Sequence, residues 1–158
     1  MFGIQWDLVC KFIETKATNP GTSASNIKEA LKTNSVDWGN YYDATFEIQR
    51  GKYSADWGET WKRFDVNTDG NVENNIKLAN KSVLLTTGAA ERNSLLNIYD
   101  FAGNVYEWTL EKSSNSSYPC VRGGGSCIDY GSGYPASYRY SNQTSNADGY
   151  YGSRLSLY

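Results

Sequence analysis

The chain contains no histidine. That absence removes Ser-His-Asp and Cys-His catalysis, and every zinc site that uses an imidazole. A resident metal would have to be held by oxygens, which points to Ca²⁺. Cysteine is scarce too. Cys10, Cys120 and Cys127 are too few for a disulfide framework, and a reduced intracellular context is the simpler expectation. Cys10 falls on the apolar stripe of a predicted helix, as a buried thiol would, whereas Cys120 and Cys127 flank a glycine run across which a bridge is conceivable. No run of about 18 apolar residues is present, so no membrane-spanning helix is expected. Residues 1–17 show neither the basic start nor the apolar stretch of a secretory signal, which leaves open a signal on a longer parent chain. The net charge is −2, with both signs mixed along the sequence. Without a Lys/Arg face to neutralise phosphates, nucleic acid is not expected as the main ligand.

What is present describes one globular α+β domain spanning residues 1–158. Residues 3–16 read as an amphipathic helix with Leu8, Val9, Phe12 and Ile13 at helical spacing and Ile4 one turn earlier. Pro20-Gly21 then stops it. A second helix is expected at 25–32, capped by Ser25 or Asn26, the latter in capping-box spacing with Glu29. Trp38, Trp57 and Trp61, with Tyr41, Tyr42 and Phe46, are expected to cover a core in a polar, irregular stretch. Short antiparallel strands are expected at 82–87, within 98–110, at 137–140 and at 154–158, joined by long irregular loops, with Val121-Arg122 leading into the glycines.

Residues 123–153 have a different make-up: six Tyr, six Ser and seven Gly, with no Lys, Glu, Trp or Met. Tyrosine gives large amphipathic contacts at low entropy cost, while Ser, Gly and Asn give adaptable hydrogen bonds, the chemistry of a paratope. A glycine-rich loop with tyrosines packed over a small core has the same composition. Composition alone does not choose between them.

Asp65-Val-Asn67-Thr-Asp69-Gly70 matches the first half of an EF-hand loop, but Ile76 stands where that loop needs its bidentate Glu. An Asx-rich turn explains the stretch better. More specific is Asp100-Phe-Ala-Gly103-Asn104-Val105-Tyr106-Glu107-Trp108, followed by Arg122-Gly-Gly-Gly-Ser126 and Gly152-Ser-Arg154. These resemble, in order, the D-x-x-G-N-V-W-E-W, R-G-G-S-W and G-F-R motifs of the formylglycine-generating-enzyme-like (sulfatase-modifying factor) family. Ile4-Gln5-Trp6-Asp7 is similar to that family's T-E-A-E-W-E helix. The resemblance implies a C-type-lectin-like fold that here lacks the family's first strand and helix, so that the C-terminal strand needs cover from a preceding domain or another subunit. It also implies a structural Ca²⁺ held by the carboxylates of Asp100 and Glu107 and the carbonyls of Gly103 and Val105. Trp108 is expected in the core.

The family's enzymes oxidise a sulfatase cysteine with a C-x4-C pair, and the corresponding positions here are Asp129 and Tyr134. Cys127 takes the motif's aromatic position. Neither copper binding nor formylglycine-generating activity is therefore expected. One branch with this fold, the variable proteins of diversity-generating retroelements, matches the tyrosine-rich segment. Its targeted codons never yield Lys, Glu, Trp or Met, which residues 126–153 lack, nor Gln, so Gln143 would be fixed.

The resemblance thus implies a phage or bacterial recognition module, carried on a virion such as a phage tail or on a cell surface as part of a larger protein. It would bind a protein or glycan on a target cell and perform no chemistry. Its expected binding residues are Ser126, Cys127, Ile128, Asp129, Tyr130, Tyr134, Tyr138, Tyr140, Ser141, Asn142, Ser145, Asn146, Asp148, Tyr150 and Tyr151. Pro135, Ala136, Ser137 and Arg139 are expected to hold the strand between the variable loops. The rival readings are an oxidase relative without its catalytic pair and a Ca²⁺-dependent lectin. The lectin would want more carboxylates than Asp129 and Asp148.

Overall fold

The computed structural model describes residues 1–65, 69–145 and 147–154. Helix α1 (Gly3–Lys16) and helix α2 (Ile27–Lys32) precede all the strands. The first six strands are β1 (Phe46–Glu47), β2 (Lys52–Ser54), β3 (Lys62–Arg63), β4 (Val72–Glu73), β5 (Ile76–Lys77) and β6 (Leu84–Leu85). They are followed by β7 (Ser94–Leu95), β8 (Ile98–Tyr99), β9 (Tyr106–Lys112), β10 (Cys120–Gly123), β11 (Arg139–Asn142) and β12 (Tyr151–Ser153). The architecture is α+β, with short strands and long connections.

Helix α1 has the expected bounds but presents a different stripe to the core. Trp6 and Ile13 are buried, with Val9 and Cys10 packed beside them, while Ile4, Leu8 and Phe12 are exposed. Positions 6, 9, 10 and 13 also recur at helical spacing, so the sequence carries two adjacent apolar stripes and periodicity cannot choose between them. Packing chooses through Trp6. Its indole stacks on Phe101 at 4.1 Å and donates to the Ala136 carbonyl at 3.1 Å. It also lies against Gly123, where a Cβ would sit 2.7 Å from the ring. In α2, Asn26 is the cap and accepts from the Glu29 amide, while Glu29 reaches back to the Ser25 amide.

One buried cluster runs from Trp6 and Ile13 through Trp38, Tyr41, Ile48, Tyr53 and Val83 to Ala136. Trp57 and Trp61, expected to cover the core, are exposed instead. Lys77 is fully buried, and its Nζ donates to the carbonyls of Tyr41, Tyr42 and Ala44 at 2.5, 3.2 and 2.9 Å. Burial pulls its ammonium down to about 8. Three carbonyls of one irregular segment, 41–44, thus converge on one side chain, which ties that segment down without a strand ladder.

The sheet that matters for the site has the order β11-β10-β9-β12. Strand β10 pairs antiparallel with both β9 and β11, whereas β12 runs parallel to β9, a departure from the expected all-antiparallel arrangement. Strand β11 starts two residues later than expected because Pro135 opens a turn closed by the Tyr138 amide. Of the terminal strand expected at 154–158, residues 155–158 lie outside the described residues.

A candidate ligand-binding face

Cross-strand partners in a sheet point to the same side, and the register assigns the sides of this one. Arg122 is opposite Trp108 on β9 and Tyr140 on β11, and Tyr106 is opposite Tyr151 on β12. One face therefore carries Tyr106, Trp108, Arg122, Tyr140 and Tyr151. The other face, against α1, carries Val121, Gly123, Thr109 and Arg139. There Arg139 bridges Asp7 and Glu111, both at 3.0 Å, and donates to the Gly3 carbonyl. Ala136 is fully buried and its amide donates to Ser35 Oγ, so Arg139 and the Pro135–Ala136 turn sit where scaffold residues should.

On the first face the tyrosines form a continuous array. Tyr134 meets Tyr106 and Tyr138 edge-on, Tyr138 stacks on Tyr140, and Tyr151 meets Tyr106 and Trp108. At its centre the Arg122 guanidinium lies over the rings of Tyr106, Tyr151 and Tyr140, at 3.8, 4.4 and 5.0 Å from their centroids. A cavity of about 260 Å³ opens here, with Ile128, Asp129, Asp148 and Tyr150 completing its wall.

The loop after β10 is held by Asp129. Its carboxylate accepts from the Ser126 amide at 2.9 Å and hydroxyl at 2.7 Å, and the Tyr106 phenol is its neighbour. Burial and this acidic neighbour push the Tyr106 phenol far above its ordinary range. Trp57 packs beside Tyr150 at 5.6 Å and extends the aromatic rim.

The structure sorts the expected binding residues into three groups. Ile128, Tyr130, Tyr140, Ser145 and Asp148 are exposed, and Tyr134, Tyr138 and Tyr151 are half-buried in the array. Ser126, Cys127, Asn142 and Tyr150 are buried. Ser126 is tied to Asp129, Asn142 donates to the Tyr151 hydroxyl, and Cys127 packs with Leu84 and Tyr150 in a small second core. Ser141 is on the α1 side and shares a hydrogen bond with Ser113. Cys127 and Ser141 are thus scaffold rather than display, because a loop this rich in glycine must bury something to stay in place. Asn146 lies outside the described residues.

Trp108, expected in the core, is half-buried on the display face. Sequence reasoning missed Arg122, Tyr106 and Trp57. Arg122 had looked like mere lead-in to the glycines, and only the strand register turns it outward. All three cysteines are free. Burial pushes the Cys10 and Cys127 thiols up to about 12.

Of the expected calcium ligands, Glu107 and one carboxylate oxygen of Asp100 have other partners. Asp100 adopts φ 51° and Asn104 φ 64°, both left-handed, in the tight turn before β9. Gly103, between them, also has positive φ, and a Cβ there would collide with the Asn40 backbone. Asn104 is a buried bracket: its amide oxygen accepts from Asn40 and the Leu85 amide, and its nitrogen donates to the Leu85 carbonyl. Asp100 Oδ2 accepts from the Gly88 amide, and burial pushes its carboxyl up. Both oxygens of Glu107 are taken by Arg154, whose Nη2 also donates to the carbonyls of Tyr99 and Asp100. Val105 packs against Gly152.

A calcium site wants open oxygens converging on one point. Here the Arg154 guanidinium occupies both oxygens of Glu107, which leaves Asp100 Oδ1 as the one carboxylate oxygen of the set without a partner among the described residues, so the set does not fit calcium as arranged. Among the described residues no three His, Cys, Asp or Glu side chains gather to hold a metal. In the EF-hand-like stretch, 66–68 lie outside the described residues. Asp69 accepts there from Lys62, Tyr53 and the Asn71 amide, as in an Asx turn.

A family model for the sulfatase-modifying factor enzyme 1-like domain matches residues 20–157. No curated protein and no solved structure matches the chain. No helix among the described residues is long and apolar enough to cross a membrane.

Proposed function

The chain belongs to the sulfatase-modifying factor enzyme 1-like family, and from that premise we propose that it is a ligand-binding member with a C-type-lectin-like fold, not a catalyst. The observation that carries this is the segregation across one sheet. Charged and apolar anchors tie one face to α1, while the other gathers tyrosines around a cavity and leaves Ile128, Tyr130 and Tyr140 in solvent. Tyrosine-dominated surfaces of this kind bind through a few rigid anchors. The thiol chemistry of the family's enzymes has no support in these residues. Asp129 and Tyr134 stand at the catalytic cysteine positions, and a thiol pushed up to about 12, as at Cys127, is a poor nucleophile.

Within the family we place the protein in the branch diversified by retroelements, acting on a phage or bacterial surface against a protein or glycan of the target cell. The charge neutralising Glu107 is assigned to Arg154 in place of calcium. The proposal is tested at the gene. A near-copy of the codons for 122–158, differing mainly at adenines and lying beside a reverse-transcriptase gene, is expected downstream. Copper-dependent conversion of a cysteine-containing sulfatase peptide by the purified chain would overturn the non-catalytic reading.

A further inference from the structure

Arg122 is 8% exposed, and among the described residues its guanidinium has no hydrogen bond or ion pair; its Nε is buried without a partner. A buried cation with no carboxylate in contact is destabilising unless something takes that place. Three tyrosine rings supply part of that stabilisation. These ring contacts leave the N–H donors on the edge of the guanidinium without a bond to the described residues. The edge carries the N–H fork, which matches a planar carboxylate with two parallel bonds. Arg122 also lines the cavity, so the fork is within reach of a bound group.

We infer that this cavity takes the carboxylate of a sugar acid, with Arg122 as its anchor. The inference rests on the binding-face reading above and names the ligand class for it. Two observations favour a sugar acid over an acidic side chain of a protein. First, about 260 Å³ lies just below the range of drug-sized ligand pockets, roughly 300–1,000 Å³; that suits one pyranose ring and is wide for a thin Asp or Glu side chain. Second, Asp129 and Asp148 line the same cavity. Carboxylates only accept, so they call for donors, and a sugar brings hydroxyls where a glutamate side chain brings none. Tyr134 and Tyr150 also line the cavity and offer apolar surface for the C–H faces of the ring.

The test titrates the full chain, uniformly ¹⁵N-labelled, with galacturonic and glucuronic acids. The comparators are galacturonic acid methyl ester, galactose and oligoglutamate. The Arg122 Nε–H and the amides of Tyr106, Tyr140 and Tyr151 are the reporters. The sugar acids should shift these signals saturably, with the ester and galactose weaker by about tenfold or more, since the ester keeps the shape and loses the charge. Arg122→Lys should weaken the acids by about tenfold or more with its other amide signals in place, because an ammonium has no fork. If Arg122→Lys does not fold, the acid-against-ester comparison in the wild type decides alone. Equal binding of acid and ester, no saturable shift up to millimolar sugar acid, or tighter binding of oligoglutamate would each overturn the inference. Should galactose or oligoglutamate bind better but still at Tyr140 and Tyr151, the sugar-acid assignment falls and the binding face stands. Binding confined to the groove along α2 at Asn26 and Lys32 would remove both.

Discussion

Arg154 donates from Nε and Nη2 to the two carboxylate oxygens of Glu107, at 2.9 and 2.6 Å, across the parallel pairing of β12 and β9. The late glycine-serine-arginine motif is thereby bound to the middle of the earlier asparagine-valine-tyrosine-glutamate motif. Glu107 is almost fully buried, and removing one partner from such a pair costs about 3–5 kcal/mol because a buried charge is stranded. Arg154→Ala is therefore expected to lower the denaturation midpoint strongly. Arg50→Ala, which breaks an exposed pair with Glu91, should change stability by at most about 1 kcal/mol. Equal effects would mean that the 107–154 pair is a surface contact.

The same pair decides the metal question. With the guanidinium already neutralising Glu107, chelation of a calcium-loaded sample should leave the melting temperature unchanged. A ligand that binds only the native state would raise it by mass action. A clear fall on chelation would show that the ion displaces Arg154, and the assignment of that charge would be wrong.

Alkaline pH probes the buried thiols and phenols. Burial raises Cys10 and Cys127 from 9.0 to about 12, and Tyr150 from 10.0 to about 12. Such groups keep their proton in the folded state where the unfolded chain loses it, so their stabilisation is complete below the unfolded value and lost as pH rises. Lys77 works in the opposite sense. Its folded value of about 8 is below the ordinary 10.5, so stability is gained across that window. Each group contributes a slope of at most about 1.4 kcal/mol per pH unit. One lysine against two thiols leaves a net decline beyond pH 9, steepening past 10 as the tyrosines join. Urea midpoints measured against pH should show this. The double variant Cys10→Ala with Cys127→Ala should delay the decline by about one unit. An unchanged profile in that variant would assign it elsewhere.

The parts legible in the sequence are those where local chemistry decides the outcome. Helix α1 ends ahead of Pro20-Gly21, Asn26 caps α2, and the family motifs around Asp100–Trp108 and Arg122 are contiguous. What was not legible depends on long-range register. Arg122 and Trp108 lie in strands whose burial does not alternate cleanly, so period two does not fix which face each side chain joins. Only the pairing of Arg122 with Tyr140 and of Tyr106 with Tyr151 turns them outward. Cys127 shares the display loop's composition, yet its contact is with Leu84, far away in the chain. Ile4, Leu8 and Phe12 failed for a related reason: a neighbouring stripe of similar hydrophobicity carried Trp6, and one indole contact set the helix's rotation.

The division between display and scaffold within 126–151 makes the sharpest prediction. Tyr130 and Tyr140 are 52% and 46% exposed, so Tyr130→Ser and Tyr140→Asn should each leave the melting temperature within about 3 °C. Tyr106, at 5% exposure, packs against Tyr134, Tyr151 and Arg122. Tyr106→Ala should cost roughly 3–5 kcal/mol as a buried aromatic. Cys127→Asp is the more telling change, since it looks as permissible as Tyr140→Asn if the whole loop is freely variable. A carboxylate placed beside Leu84 and Tyr150 would be buried with only the Lys77 ammonium near it, itself tied to three carbonyls, and the chain should melt far below wild type. Thermal melts of the four variants against wild type separate the outcomes. If Cys127→Asp melts like Tyr140→Asn, the second core is not a scaffold, and the boundary drawn through this loop is misplaced.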